Sequence, residues 1–227
     1  MKNKIVTFGF DDCEMHDRRL CELFRKYGMK ATFFLITDEL GISCPFERYG
    51  EKIVVERVSE EEIPVTYQGM EVATHTAAHS CPIDGLDGAV FDSAKRLSAL
   101  CGYEVCGMAY PGGHYTQEHV KRLKEKGLLY ARTTEVTHNF ALPGELLAWH
   151  PTCKYDDAET EYLVEQFLQY EGEEPILLYI YGHSYELTQK EEGHDWAYWE
   201  KILKRLSGRE DIWYATNAEI AKWKSKY

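Results

Sequence analysis

An α/β fold built on a largely parallel, curled sheet is what this 227-residue chain predicts. Three observations carry it. Short runs rich in β-branched and aromatic residues alternate with amphipathic stretches of helical period. The runs are continuous in hydrophobicity, as expected of strands covered on both faces. The amphipathic stretches stop at glycine, which relieves the left-handed turn that closes a helix. With 44% hydrophobic and 28% charged residues the chain can bury a sizeable core, which excludes intrinsic disorder. Its length suits one domain, expected to span 1–227.

The strand-like runs are 5–10, 31–36, 72–75, 105–110, 130–134, 146–153, 176–181 and 212–215. Some seven to eight mostly parallel strands favour closure into a distorted (β/α) barrel over an open sheet. Between them, Leu20, Leu23, Phe24 and Tyr27 share one helical face that ends at Gly28. Val90, Ala94, Leu97 and Cys101 do the same before Gly102, and Val120 with Leu123 before Gly127. A further helix over 162–170 stops near Gly172. Trp196, Trp199, Leu203 and Leu206 form a face running from an Asp195 cap to Gly208, so these tryptophans read as core and not as a sugar platform. The stretch 41–69 fits the alternation least; it is expected to be an excursion with a hairpin over 52–58 and a short helix broken near Pro64. Glu60, Glu61 and Glu62 suit a solvated helix start.

Charge narrows the partner. Twenty-six Lys+Arg against 38 Asp+Glu leave −12, spread along the chain, which argues against nucleic acid or an anionic membrane surface. A small neutral or cationic molecule is the expected ligand. Met1-Lys2-Asn3-Lys4 leads straight into Ile5-Val6-Thr7-Phe8 with no secretory signal in view, and no run of about 18 apolar residues exists. The seven cysteines are an odd number without a C-x-x-C pair, which reads as buried reduced thiols and a cytoplasmic location.

In a parallel α/β sheet, ligands meet the carboxyl ends of the strands. After the first strand stand Asp11 and Asp12; after the third, His75 and His79; after the fourth, Tyr110-Pro111-Gly112-Gly113; after the seventh, Gly182-His183-Ser184. Two adjacent carboxylates repel in a dry site unless a cation relieves one of them. His75 and His79 at i, i+4 would share one face of a helical turn, so both imidazoles could reach one ion. One carboxylate and two imidazoles leave open positions for water and substrate; the set suits zinc and also non-haem iron.

These segments resemble a known family. Phe10-Asp11-Asp12, His75-Thr76-Ala77-Ala78-His79, Ala109-Tyr110-Pro111-Gly112-Gly113 and Tyr181-Gly182-His183 are similar, in order, to the motifs of the polysaccharide deacetylases (NodB homology, carbohydrate esterase family 4). The resemblance implies a NodB-like distorted barrel and metal-dependent hydrolysis of an N-acyl group, N-acetyl foremost, on an amino sugar. It makes Asp11 the general base, His183 the general acid for the departing amine, and Asp12, His75 and His79 the ligands of one divalent ion. Zinc is the first expectation, with cobalt, nickel or manganese accepted by the same donors. The backbone N–H of Gly112 falls where the family stabilises the oxyanion, with Tyr110 beside the substrate.

Two departures stand out. The family usually has arginine where this chain has Ala109, and an aromatic where it has Gly112. That arginine orients the catalytic carboxylate; Arg132, at the end of the fifth strand run, could replace it from another direction or form a structural ion pair. Trp149-His150 is the nearest match to the family's fourth motif. Tyr185 and Glu186 could contact substrate or cap the next segment. His16, His114, His119, His138 and His194 receive no role. The expected substrate is a small N-acylated sugar. Alternatives on the same scaffold are a formamide or cyclic-amide hydrolase, and a non-catalytic carbohydrate-binding relative.

Overall fold

The protein is described by a computed structural model over residues 2–48, 51–188 and 194–226. Strand β1 (Lys4–Asp11) leads through helix α1 (Asp17–Lys26) to β2 (Thr32–Leu35). A two-stranded antiparallel hairpin, β3 (Ser43–Arg48) and β4 (Glu51–Glu56), then leaves the main sheet. After a short helix α2 (Ile63–Thr66) the chain returns in β5 (Glu71–Thr74), α3 (Ser93–Cys101), β6 (Gly107–Ala109), α4 (Gln117–Glu125) and β7 (Tyr130–Arg132). It finishes with β8 (Cys153–Lys154), α5 (Thr160–Gln169), β9 (Ile176–His183), α6 (Trp196–Leu206), β10 (Ile212–Tyr214) and α7 (Asn217–Lys224).

The main sheet is parallel and curls into a half-barrel in the order β7-β6-β5-β2-β1-β9-β8. β1 shares one edge between two partners, with β10 beside Lys4–Val6 and β2 beside Gly9–Asp11. Side-chain alternation along β1 sorts the core. Val6, Phe8 and Phe10 point outward and pack with Leu20 and Phe24 of α1 and Trp199 of α6, whose rings meet mostly edge-on. Ile5 points into the concave side with Phe34, Tyr130, Trp149 and Tyr179. Thr7, on that same side, donates to Asn217 Oδ1 (2.8 Å) at the start of α7. Glu71 accepts from Thr32 Oγ1 (2.8 Å), Tyr130 OH (2.7 Å) and Ala218 N (2.9 Å), so α7 is tied to the interior by a satisfied polar cluster.

The structure revises several expected elements. The run 146–153 is not one strand: Leu146–Ala148 is a 3₁₀ turn, Trp149 makes a single parallel bridge to Arg132, and only Cys153–Lys154 pairs with β9. This segment donates from Trp149 N to Ala131 O (2.9 Å) and from Thr152 N to Tyr179 O (2.8 Å), so it spans the two ends of the curled sheet. The hairpin begins earlier than 52–58, with strands Ser43–Arg48 and Glu51–Glu56; Pro45 obscures the first of them in the sequence, although an isolated edge pairing tolerates it. Pro64 starts a helical turn and does not break one, since its missing N–H is unpaired in the first turn anyway. His75 to His79 is not helical: Thr76 (φ +71°) and His79 (φ +50°) are left-handed, and the segment bends back over the strand end.

At the start of α1, Asp17 is buried and accepts from Tyr67 OH (2.7 Å). Burial pushes its carboxyl up to about 7, against the pull of the Ser184 and Tyr67 hydroxyls. A carboxyl raised on folding favours the native state only while protonated, so its contribution is full below about pH 4 and lost as pH rises to about 7. Asp17→Asn is therefore expected to raise the melting temperature of the metal-free protein at pH 8 and to change it little at pH 4. Thermal unfolding at both pH values measures this.

Candidate active site

The carboxyl ends of β1, β5, β7 and β9 deliver the site. In the parallel register Asp11 lies opposite His183 on β9 and opposite Phe34 on β2. Asp11 is 3% exposed, and both its oxygens accept from Arg132 Nη2 at 2.5 Å. Arg132 is fully buried, and its guanidinium sits between the rings of Phe34 (5.2 Å) and Tyr181 (4.9 Å). Burial alone would raise the Asp11 carboxyl; Arg132, then His75 and His183, outweigh it and hold Asp11 below the usual carboxylate value.

Arg132 reaches Asp11 by a simple register relation. Ala109 on β6 and Arg132 on β7 are cross-strand partners at the same height, and both lie on the concave side. A small side chain at 109 is compatible with the long one entering from the next strand. The Ala109 carbonyl has its own task, accepting from or facing His75 Nδ1 at 2.9 Å. That contact points His75 Nε2 at the carboxylates, 3.8 Å from Asp12 Oδ1 and 3.9 Å from Asp11 Oδ2. Burial lowers the His75 pKa and so favours the neutral imidazole, the form that binds metal.

Asp12, His75 and His79 offer one ligand atom each, all within 4.8 Å of one another. His79 Nε2 lies 3.9 Å from Asp12 Oδ1, too far for a hydrogen bond, and this oxygen is buried with no hydrogen-bond partner. A buried carboxylate oxygen faced by two imidazole nitrogens at such spacing is an arrangement that a cation among them would satisfy. The three residues therefore fit a divalent ion with open positions.

His183 closes the other side, its Nε2 3.9 Å from Asp11 Oδ2 and 4.0 Å from Asp12 Oδ2. Its Nδ1 lies 3.2 Å from Glu186 Oε2, and Lys154 Nζ donates to Glu186 Oε1 at 2.9 Å. Burial would lower the His183 pKa, but Glu186, then Asp11 and Asp12, raise it, so the imidazole keeps its proton longer than usual. The sequence reading gives Glu186 a substrate contact or a capping role and not this contact with His183, whose signal is the i, i+3 spacing in a tight turn.

Not every expected residue comes to the centre. Tyr110 follows Ala109 and so faces the other side of β6, where its OH donates to Leu147 O (2.8 Å) in the cluster with Met108, Val120 and Leu123. Trp149 is core, edge-on to Tyr179 (5.2 Å) and Tyr130 (6.0 Å). His150 is half-buried and bonded to Thr133 Oγ1 (2.7 Å). Gly112 and Gly113 are left-handed (φ +60° and +75°), a conformation that disfavours any larger side chain at either position. At Gly113 a Cβ would collide with Thr134, so only glycine fits.

The chain belongs to the polysaccharide deacetylase family, whose profile, Polysaccharide deacetylase, matches residues 1–131, more than half its length. The YxkH protein of Bacillus subtilis (strain 168), a polysaccharide deacetylase by its description, is 26% identical over 138 residues. That alignment covers 58% of this chain but only 45% of the relative, so this chain corresponds to about half of it. In fold, the chain is similar to a Pseudomonas aeruginosa PAO1 protein described as a polysaccharide deacetylase, at 14% identity and a TM-score of 0.68 over 100% of this chain and 92% of that one. It is also similar to a family 4 acetyl xylan esterase from Clostridium thermocellum in complex with a cobalt ion, at 15% identity and a TM-score of 0.59 over 97% and 92%.

Replacing Arg132 by methionine would leave Asp11 buried without its counter-charge. A loss of about 3–5 kcal/mol is expected for a broken buried pair. The double variant Asp11→Asn/Arg132→Met should recover part of it, and urea unfolding of both variants measures the difference.

Proposed function

We propose that the protein is a metal-dependent hydrolase that removes an N-acyl group, N-acetyl first, from an amino sugar. The observation that carries the reading is the convergence of Asp11, Asp12, His75, His79 and His183 at adjoining strand ends. Asp12, His75 and His79 would hold one divalent ion, zinc foremost, which when bound would polarise the acyl oxygen and acidify water towards a pKa of about 7. Asp11, kept ionised by Arg132, accepts the proton of the attacking water as general base. His183, whose pKa is raised, donates to the amine as it leaves. The Gly112 N–H serves the oxyanion. Arg132 acts through Asp11 and does not touch substrate; its contact speaks against a non-catalytic relative.

The rest of the sugar would lie in a cleft of about 510 Å³ lined by Tyr115, Gln117, Thr137, Glu145 and His150 among others. What supports this placement is that Tyr115 follows Gly113 by two residues and His150 is bonded to Thr133, the neighbour of Arg132; none of the five converging residues lines the cleft itself. Residues 1–227 are read as one catalytic unit: β1 and β9 supply opposite sides of the site, and α7 is tied to the same interior. Seven cysteines without a disulfide among the described residues support a reducing, cytoplasmic setting. Among the described residues no helix is long and apolar enough to cross a membrane.

Acetate release from N-acetylglucosamine and its short oligomers tests the reading. Stripping the protein with a chelator should abolish release, and zinc or cobalt should restore it. Asp11→Asn and His183→Ala should each lower kcat on the order of 10²-fold or more; wild-type rates in either would remove the assigned roles. Tyr115→Ala should raise KM for the sugar without a matching fall in kcat.

A further inference from the structure

Arg57 emerges from the hairpin excursion and reaches the metal-binding carboxylate residue from behind. Its side chain is 10% exposed. Nη1 donates to the backbone carbonyl of Asp12 at 2.5 Å and lies 3.3 Å from Glu14 Oε1, while Nη2 lies 2.8 Å from Glu39 Oε2. Around this contact the backbone is laced to the hairpin's end: Met15 N donates to Glu56 O (2.9 Å) and Val58 N to Cys13 O (2.8 Å). The residues so held are unusual. Asp12 (φ +80°) and Cys13 (φ +49°) are successive non-glycine residues in the left-handed region, a conformation that persists only where surroundings enforce it. Asp12 N, on the strand side, donates to Phe34 O (3.1 Å), so the residue is gripped at both its N–H and its C=O.

We propose that Arg57 is a positioning residue for the carboxylate of Asp12, holding the left-handed Asp12–Cys13 turn that presents this carboxylate to His75 and His79. The inference rests on the metal reading above and adds to it a residue that touches neither ion nor substrate. The hydrogen bond from a charged donor to the Asp12 carbonyl is stronger than a neutral one, and it loads the conformer in which Asp12 Oδ1 lies 3.8 Å and 3.9 Å from the two imidazoles. Glu14 flanks the guanidinium on the Nη1 that reaches Asp12, and Glu39 on the outer Nη2. The excursion over 41–69 thereby becomes part of the metal centre, supplying its outer support from a segment that carries no metal ligand.

Metal affinity and the cobalt absorption spectrum separate this from a merely structural clamp. Zinc binding would be measured by competition with a chromophoric chelator for the wild type, Arg57→Met, Arg57→Lys and Glu39→Gln, each with the melting temperature of the metal-free form. Arg57→Met is expected to weaken zinc binding by about 10–100-fold and to alter the visible spectrum of the cobalt protein. Glu39→Gln, which cuts only the outer ion pair, should stay within about twofold of wild type by the same measure. A lowered melting temperature with wild-type affinity and spectrum in Arg57→Met would overturn the proposal. Should that variant fail to fold, Arg57→Lys decides: it keeps a charge near Glu14 and Glu39 but loses the fork that also reaches Asp12. Weakened zinc binding there supports the proposal and wild-type binding overturns it. A wild-type protein that binds neither zinc nor cobalt would instead bring down the metal reading itself.

Discussion

Keeping one carboxylate ionised in a dry pocket is the constraint around which the rest is arranged. Asp11 is buried at the end of the central strand, and an isolated buried charge there would cost several kcal/mol. Arg132 offsets that cost from β7, which lies beyond β6, β5 and β2 in the hydrogen-bonded order. Only a sheet curled into a half-barrel can bring such distant strands over one another. The curl in turn requires something to fill its concave side, and Phe34, Tyr130, Trp149, Tyr179 and Tyr181 do so. Two of those rings sandwich the guanidinium, so the packing that fills the barrel also desolvates and orients the cation.

The same environment sets two imidazoles to opposite tasks. His75 and His183 both suffer burial, which disfavours their charged forms. His75 Nδ1 faces a neutral carbonyl and its pKa falls, whereas His183 Nδ1 faces Glu186 and its pKa rises. Burial would raise the Glu186 carboxyl, but His183 first and then Lys154 from β8 lower its pKa and keep it ionised. Separate partners thus shift chemically identical side chains in opposite directions, which is what the proposed division between metal ligation and proton donation calls for. The turn at Asp12 has a comparable logic, since its left-handed backbone is gripped by Phe34 on one side and Arg57 on the other.

Legibility followed the range of the interactions. Helix stops at Gly28, Gly102 and Gly127 stand in the sequence because the left-handed closing turn is a local steric matter. The Asp195 cap is equally local, and its side chain accepts from Ala197 N and Tyr198 N at 3.0 Å. The run 146–153 misled because its apolar content reflects Leu147 and Trp149 packing into two different clusters, not one continuous pairing. Tyr110 misled because motif position does not reveal strand face; its neighbour Ala109 took the inward place. The i, i+4 histidines converge as read, but through a left-handed bend in place of a helical turn.

By itself the sequence determined the class of fold, the strand ends that carry polar chemistry, and the segments around Asp11, Asp12, His75, His79 and His183 that resemble the family's motifs. These follow from short-range pattern: continuous apolar runs, helix periods closed by glycine, and donors placed just past each strand. Tertiary structure alone decided that Arg132 reaches Asp11, that Glu186 and Lys154 serve His183, and that Arg57 grips Asp12. Each of these contacts joins segments that only sheet curl and register bring together, or depends on which way a tight turn faces. A charged side chain in a sequence carries no mark of its partner, because electrostatic pairing is set by distance in space and by burial, and both arise only once the sheet has closed.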